Sequence, residues 1–185
     1  QPFASFTASD NNTNIIVIAP ATQQIWQTSI NVLPNNLKEQ LQSTNMQFIQ
    51  RGNTLYLMGG YGFSATVNDH ITYDKLTAVD IPNLIAAVQT GGAIAPFFFH
   101  FSNAVVTLTG GQLGRIDSTF YIVGGQKFEG RYNPMGPTHG PGFWQEYSNQ
   151  IRRFKIQDDG TSLRIYDVSA TTDSTNLHRR DYNML

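Results

Sequence analysis

The chain has 185 residues, of which 40% are hydrophobic and 14% are charged, and its formal net charge is -1. This length suits one domain, and the near-neutral charge provides no electrostatic basis for binding nucleic acid or an anionic membrane. The absence of cysteine excludes disulfides, a cysteine nucleophile and thiolate zinc sites. Because Gly, Phe, Tyr and Thr are abundant, the composition favours strands joined by tight turns. We therefore predict an all-β domain of extracellular type.

The N-terminus and the apolar runs bear on location. The sequence starts at Gln1 rather than Met, as a mature chain does after cleavage of a signal peptide. Its longest apolar runs, residues 15–19 and 93–99, are much shorter than the roughly 18–20 residues of a membrane helix. We therefore expect an exported protein without a transmembrane segment.

Strands are predicted where apolar or alternating patterns lie between turn residues. The predicted strands are 14–19, 25–32, 48–51, 54–59, 69–73, 76–81, 105–109, 111–116, 119–124, 145–156 and 163–168. The predicted tight turns are 52–53, 117–118 and 158–160. Two of the strands are apolar throughout, at residues 55–58 and 120–123, which indicates burial on both faces.

Two short helices are predicted between strands, each opened by a proline at its first turn. The first follows Pro34 and places Leu37 and Leu41 on one face. The second follows Pro82 and ends near Gly91, which suits a helix C-terminus. These helices are expected to link one sheet unit to the next.

The sequence contains an internal repeat, and repeats of this length indicate stacked structural units. Residues 54–60 and 119–125 are similar segments whose glycine pairs lie 65 residues apart. Downstream, residues 70–73 and 150–154 are taken as a second matching pair, with Ile71 and Ile151 80 residues apart. On this alignment the second unit carries about 15 extra residues, within 129–144.

The repeated segments resemble the kelch repeat, which builds the four-stranded blades of a β-propeller. The double glycines, Tyr73 and Trp26 stand where that family has its glycines, tyrosine and tryptophan, and Phe154 is taken to replace the tyrosine in the later unit. The motif glycines are Gly59, Gly60, Gly124 and Gly125. The resemblance implies kelch-type propeller blades, with the Tyr and Trp rings packed between neighbouring blades.

The resemblance also divides the chain into units. They are an outer half-blade with a linker helix at 14–43, a blade at 44–92, a blade at 104–170 with the inserted loop 129–144, and the start of another blade at 177–185. Because propellers have about four to eight blades, we expect an incomplete propeller in one partial domain. Its open faces are expected to require the remainder of a longer chain or a protein partner.

A closer resemblance is to secreted kelch-like proteins of bacteria that use a type IX pathway. It is based on the amino-acid sequences of residues 106–113 and 124–128. It implies an exported protein at the cell surface, associated with the outer membrane.

The inserted loop is the strongest candidate for binding, because long loops on a rigid scaffold commonly carry function. Its aromatic and polar side chains suit stacking on a sugar ring and hydrogen bonding to hydroxyls. The candidate binding residues are Arg131, Tyr132, Asn133, His139 and Trp144. The alternative is that Phe143 and Trp144 fold back to cap the blade.

Catalytic and metal chemistry have little support in the sequence. The four histidines, His70, His100, His139 and His178, lack the spacing of metal ligands. The acidic residues lie mostly at turns rather than in a pattern typical of glycoside hydrolysis. We therefore expect no metal, no cofactor and no catalytic residue, and predict a non-catalytic exported or cell-surface scaffold for protein–protein interaction. The alternative is a carbohydrate-binding or carbohydrate-active propeller with catalytic residues outside this segment.

Overall fold

The computed structural model describes residues 6–138, 142–160 and 162–181. The strands are β1 (Asn14–Ala19), β2 (Gln24–Ser29), β3 (Gln47–Arg51), β4 (Thr54–Met58), β5 (Tyr61–Ser64), β6 (Asp69–Thr72), β7 (Lys75–Asp80), β8 (Phe98–Ser102), β9 (Gln112–Ile116), β10 (Thr119–Val123), β11 (Gln126–Gly130), β12 (Phe143–Tyr147), β13 (Gln150–Asp158) and β14 (Leu163–Thr172). The helices are α1 (Asn35–Leu41) and α2 (Ile81–Thr90), and the 3₁₀ turns are Ala8–Asp10, Ile30–Val32, Ala95–Phe97 and Ala104–Val106. The all-β prediction is confirmed.

All sheets in the described residues are small and antiparallel. The first sheet has the order β3-β4-β7-β8, and the second sheet has the order β9-β10-β13-β14. Each has a two-stranded hairpin inserted between its second and third strands in the chain: the first inserted hairpin is β5-β6 and the second is β11-β12. The N-terminal hairpin, β1-β2, precedes both. The two four-stranded units therefore have the same connectivity.

Backbone hydrogen bonds show which residues of the two units correspond. The N–H of Gly59 donates to the carbonyl of Lys75 at 3.0 Å, and that of Gly124 donates to Gln150 at 2.9 Å. Lys75 and Gln150 each begin the third strand of their sheet and lie 75 residues apart, against 65 for the glycines. The second unit is therefore longer by 10 residues, and the predicted figure of about 15 is wrong.

The predicted match between Tyr73 and Phe154 is also wrong. The N–H of Tyr73 donates to the carbonyl of Gly60, and the N–H of Ser148 donates to that of Gly125, so Ser148 occupies the corresponding position. Phe154 lies within β13, fully buried, with its ring stacked 5.8 Å from that of Phe120. The error arose because residues 70–73 belong to an inserted hairpin, whereas residues 150–154 belong to a four-stranded sheet.

The main core lies between the two sheets, where one face of each packs against the other. Its fully or largely buried side chains are Tyr56, Met58, Leu76, Ala78, Val106, Leu108, Leu113, Phe120, Ile122, Phe154 and Ile156. Burial of side chains this large stabilises each by about 1.5–3 kcal/mol. This contact fixes the first sheet relative to the second.

A second core covers the other face of the first sheet with both helices and the N-terminal hairpin. Its buried members are Ile30, Leu33, Leu37, Val79, Leu84, Ala87, Val88, Ile94 and Phe98. Trp26 is half-buried and packs against this cluster from β2. The first sheet is therefore covered on both faces, as the apolar pattern of β4 predicts.

The double glycine is required by the geometry of the turn after β4. Gly59 has φ +60°, and a Cβ there would lie 2.0 Å from the carbonyl oxygen of Leu108. Gly60 has φ +96°, and its N–H donates to that same carbonyl at 3.0 Å. A Cβ at Gly59 would force the Leu108 carbonyl away, and a Cβ at Gly60 would lie 2.1 Å from the Oγ of Ser43. The predicted reason for the glycine pair, positive φ and close backbone approach, is confirmed here.

Several predicted element boundaries differ from the structure. The predicted strand 105–109 is a 3₁₀ turn at Ala104–Val106, and the predicted strand 145–156 is divided between β12 and β13. The first sheet includes β8, beyond the predicted end of its unit at residue 92, and the predicted loop 129–144 includes parts of β11 and β12. Residues 177–181 contain no strand.

Both predicted helices are present, but only α1 links two units; α2 lies between β7 and β8 of the first sheet, so its predicted role as a link between units is wrong. α1 buries Leu37, and α2 ends at Gly91, which has φ +70°. Asp80 begins α2, since its side chain accepts a hydrogen bond from the N–H of Asn83. Neither helix in the described part of the chain has the length and apolar character to span a membrane.

Candidate functional site

The two inserted hairpins lie side by side, with β6 next to β11. The hydroxyl of Thr72 accepts a hydrogen bond from the N–H of Phe128 and donates one to its carbonyl, both at 2.8 Å. The hydroxyl of Tyr61 donates to the carbonyl of Gly130 at 2.6 Å and accepts from the N–H of Tyr132 at 3.0 Å. The two hairpins are separate sheets, and side-chain hydroxyl groups provide these hydrogen bonds between them.

An aromatic cluster fills the space at this junction. The rings of Tyr61 and Phe128 meet edge to face at 5.0 Å, and Phe143 stacks on Phe128 at 4.7 Å. Tyr132 lies 5.8 Å from Phe143, and Phe6 lies 5.4 Å from Tyr61. Such pairs stabilise their arrangement by about 0.5–1.5 kcal/mol beyond area burial. The cluster therefore provides rigid walls.

A cavity of about 110 Å³ opens beside this cluster. We name it the hairpin pocket, and its lining residues are Phe6, Thr44, Asn45, Tyr61, Thr109, Gln126, Phe128, Tyr132 and Arg180. Pockets for whole small molecules commonly measure about 300–1,000 Å³. The hairpin pocket is therefore sized for one inserted side chain or a comparable group.

A backbone frame supports the base of the pocket. Thr44 pairs with Tyr61, and Thr109 pairs with Gln126, through the same kind of isolated bridge in each unit. The residue after each threonine continues the frame, because the N–H of Gly110 donates to the carbonyl of Asn45 at 3.1 Å. The two bridges that line the pocket thus occupy equivalent positions in the two repeated units.

The same frame extends to the end of the described chain. The N–H of Asp181 donates to the carbonyl of Gly110 at 2.7 Å, just as that of Gly110 donates to Asn45. All three residues have positive φ, between 52° and 67°. This places Arg180 at the pocket, with its Nε 3.7 Å from a carboxylate oxygen of Asp181.

Burial controls the ionisation of the central tyrosine. Desolvation raises the pKa of Tyr61 to about 12, although its hydrogen bond from the Tyr132 backbone and the charge of Arg131 act in the opposite direction. The phenol therefore stays neutral at physiological pH and keeps its donated hydrogen bond. The pocket offers neutral aromatic walls with the Arg180 cation at the rim.

The predicted binding residues have different roles. Tyr132 lines the hairpin pocket, whereas Asn133 is buried and its side chain accepts from the N–H of Met135, which makes it a turn residue. Arg131 is half-buried next to Tyr132 in the chain. His139 lies outside the described residues.

Trp144 and Phe143, adjacent on β12, point to opposite faces of the second inserted hairpin. Phe143 packs back onto Phe128, which is the capping alternative, but Trp144 is 49% exposed. The Lys127 ammonium lies 5.6 Å from the Trp144 ring centroid and 2.6 Å from a carboxylate oxygen of Glu129. The structure therefore separates Trp144 from the pocket formed by the cluster.

Sequence reasoning missed Tyr61, Phe128 and Arg180 as pocket residues. A signal was present, because Tyr61 and Gln126 follow the two glycine pairs at the same distance. Arg180 was not among the predicted binding residues. The position of Arg180 at the pocket depends on the backbone hydrogen bond between Asp181 and Gly110. These residues are distant in the chain, so local sequence patterns do not predict that contact.

The described histidines have separate environments. The Nε2 of His70 lies 2.8 Å from the carbonyl of Phe6, and the Nδ1 of His178 lies 2.9 Å from the side-chain oxygen of Asn149. Burial, with the charge of Lys75, lowers the pKa of His100. Within residues 6–138, 142–160 and 162–181, no three His, Asp or Glu side chains are grouped as metal ligands.

No protein-family model and no curated protein sequence matches this chain. Among solved structures, it matches one titled "Structure of YjhT" with a TM-score of 0.45 and 13% sequence identity. The match covers 89% of this chain and 51% of that one, so this chain spans about half the length of that protein. A likeness at this level does not establish a fold family.

Proposed function

We propose that this chain is a non-catalytic binding scaffold built from kelch-type propeller blades, and that it binds a segment of a protein partner at the hairpin pocket. The proposal includes export to the cell surface, as implied by the resemblance to secreted kelch-like proteins. Two four-stranded units of the same connectivity, each with a glycine pair of positive φ after its second strand, support the propeller part.

The observation that carries the binding function is the hairpin pocket itself. Its volume of about 110 Å³ suits one side chain, and rigid rings form its walls. Partner recognition commonly depends on an anchor side chain inserted into such a pocket. The cation of Arg180 at the rim favours a segment with an acidic residue next to the anchor.

A displayed library of random 12-residue peptides, selected on the purified chain, tests this function. We expect enriched peptides to share an apolar or aromatic anchor with an adjacent Asp or Glu. Tyr132→Ala should weaken binding of a selected peptide by about tenfold or more, whereas Tyr166→Ala, at an exposed position on β14, should not. Equal effects of both variants, or no enrichment, would contradict the proposal.

Carbohydrate binding is the second candidate, and the exposed Trp144 favours it. A ring that is 49% exposed beside Lys127 provides a stacking face with a hydrogen-bond donor close by. On a glycan array, this candidate predicts binding that is lost in Trp144→Ala and retained in Tyr132→Ala. Binding lost in Tyr132→Ala alone would assign the sugar to the hairpin pocket instead.

An enzyme with catalytic residues outside this segment is separated from both candidates by a glycan-hydrolysis screen on the longest natural form of the protein. Turnover abolished by a single Asp or Glu substitution would replace the scaffold proposal. Without turnover, the scaffold proposal stands or fails on the peptide experiment.

A further inference from the structure

A cavity of about 320 Å³ lies beside the chain that links the two four-stranded sheets. We name it the linker pocket, because residues 104–108, which join β8 to β9, contribute one of its walls. Whole small molecules commonly bind in pockets of about 300–1,000 Å³. The linker pocket therefore has the size for a small organic molecule. Its other lining residues include Lys127, Glu146, Tyr147, Gln150 and Arg152.

The strand β11 separates the linker pocket from the hairpin pocket. Gln126 and Phe128 line the hairpin pocket, whereas Lys127, between them in the chain, lines the linker pocket. Because successive side chains of a strand point to opposite faces, the two cavities lie on opposite faces of the second inserted hairpin. The linker pocket is therefore a separate site, and its occupant does not depend on what the hairpin pocket binds.

The guanidinium of Arg152 is held in the linker pocket without an ion pair. Its Nη1 donates to the carbonyls of Val105 at 2.8 Å and Ala104 at 3.3 Å, and its Nε donates to the side-chain oxygen of Gln150 at 3.1 Å. All three acceptors are uncharged, and Nη2 donates no hydrogen bond within the described residues. Burial lowers the pKa of Arg152, although the charge of Glu146 acts in the opposite direction. A partly buried cation without a bonded anion favours a ligand that carries a carboxylate.

The pocket also contains a carboxylate without an ion pair. Glu146 lies opposite Lys127 in the ladder of β11 and β12, but the Lys127 ammonium lies 2.6 Å from a carboxylate oxygen of Glu129 instead. In the part of the chain that the structure describes, the Glu146 carboxylate forms no ion pair, although its charge acts on Arg152. The linker pocket therefore presents one cation and one anion that are not paired with each other.

We propose that the linker pocket binds a free α-amino acid in its zwitterionic form. The α-carboxylate accepts hydrogen bonds from the Nη2 of Arg152, and the α-ammonium pairs with the carboxylate of Glu146. A ligand with a single charge would leave one of these two groups unpaired, whereas a zwitterion pairs with both. The hydroxyl groups of Thr107 and Tyr147, which also line the pocket, suit an amino acid with a polar side chain.

Isothermal titration calorimetry of the purified chain with each of the common L-amino acids tests this site. We expect at least one polar amino acid to bind at millimolar concentration or below. For the amino acid that binds most tightly, its α-amide removes the carboxylate charge, and its N-acetyl derivative removes the ammonium charge. Each derivative should bind about tenfold more weakly or worse, because it loses a charge-assisted hydrogen bond.

Two variants assign the charges of the ligand to residues of the pocket. Arg152→Gln should remove the difference in affinity between the free amino acid and its α-amide. Glu146→Gln should remove the difference between the free amino acid and its N-acetyl derivative. Arg153→Gln is the matched control, because Arg153 donates to the hydroxyl of Thr171 at 2.8 Å and does not line the pocket. Its affinity for the amino acid should equal that of the natural chain.

Urea unfolding of the variants separates a loss of binding from a loss of folding. Glu146 is exposed, so Glu146→Gln should unfold at the same midpoint as the natural chain and tests the site independently of Arg152→Gln. The proposal would be overturned if no free amino acid binds, or if the free and derivatised forms bind equally. Equal losses of affinity in Arg152→Gln and Arg153→Gln would overturn it as well.

Discussion

Single residues of this chain carry geometric requirements that a composition count does not show. Gly59 combines positive φ with a close approach to the Leu108 carbonyl before β9, whereas Gly52 has φ +59° and nothing within 4 Å of a Cβ placed there. Comparing substitutions at the two glycines therefore separates the energetic cost of positive φ from the energetic cost of a steric clash.

We predict that Gly59→Ala lowers the free energy of unfolding by about 2 kcal/mol or more, because it adds a clash with the Leu108 carbonyl to the cost of positive φ. Gly52→Ala, with the φ cost alone, should lose about 1 kcal/mol. Urea unfolding of both variants measures the difference. Equal losses would show that the sheets can separate at the Gly59 contact without penalty.

Tyr61 provides a prediction about alkaline pH. Burial raises its pKa from 10.0 to about 12, so between these values the unfolded chain loses a proton that the folded chain retains. The resulting contribution to stability is complete below pH 10 and is lost as pH rises toward 12. Tyr61→Phe should therefore show a shallower decline in stability across this window, by roughly 1 kcal/mol per pH unit.

Urea midpoints of the natural chain and Tyr61→Phe, measured at intervals from pH 8 to pH 11.5, test this. Below pH 9 the two curves should run parallel, with the variant lower by about 1 kcal/mol for its lost hydrogen bonds. Parallel curves above pH 10 as well would contradict the buried, neutral phenol. Tyr56, with its pKa also raised to about 12 mainly by burial, should respond in the same direction when changed to Phe.

At the scale of elements, the sequence predicted best what local rules determine. Pro34 and Pro82 opened helices, and Gly91 closed one, because these residues act through their own backbone. The strand β8 and the inserted hairpins depend on distant partners, and they were missed or divided. The pairing of Tyr73 with Ser148 could not be found from residue type, because only their backbone N–H groups share a role.

Helix α2 gives the element-scale prediction. The carboxylate of Asp80 accepts from the N–H of Asn83 at 3.3 Å and from its side-chain amide at 2.7 Å. Asp80→Ala should therefore cost about 1 kcal/mol of unfolding free energy. The matched control is Asp74→Ala, which removes only a surface contact 3.5 Å from Lys75 and should cost less than about 0.5 kcal/mol. Urea unfolding that gives the larger loss to Asp74→Ala would contradict this assignment.

In the whole molecule, equivalent positions differ in burial according to whether a neighbouring sheet covers them. Tyr56 and Met58 are fully buried between the sheets, whereas Tyr121 and Val123, 65 residues later, are half-buried on the open face of the second sheet. At the other end of the stack, Ile18 and Ile25 are exposed. The repeat thus leaves one apolar face open at each end.

We predict that the isolated chain associates in solution, because covering such side chains contributes about 1.5–3 kcal/mol each. Sedimentation velocity should show a sedimentation coefficient that increases with concentration over the micromolar range. Ile18→Lys combined with Ile25→Glu should reduce this dependence, whereas Gln89→Glu, at an exposed position on α2, should not. A concentration-independent monomer with a cooperative melt would show that the open faces need no partner.

The frame through Asn45, Gly110 and Asp181 has a consequence for the evolution of specificity. Its hydrogen bonds join backbone N–H and carbonyl groups alone, and its demand on each residue is a tolerance of positive φ. Asn, Gly and Asp all meet that demand. Side chains at Asn45 and Asp181, and at Arg180 beside it, can therefore be exchanged without loss of these backbone hydrogen bonds. The same scaffold can thus acquire a different binding preference through changes at the pocket alone.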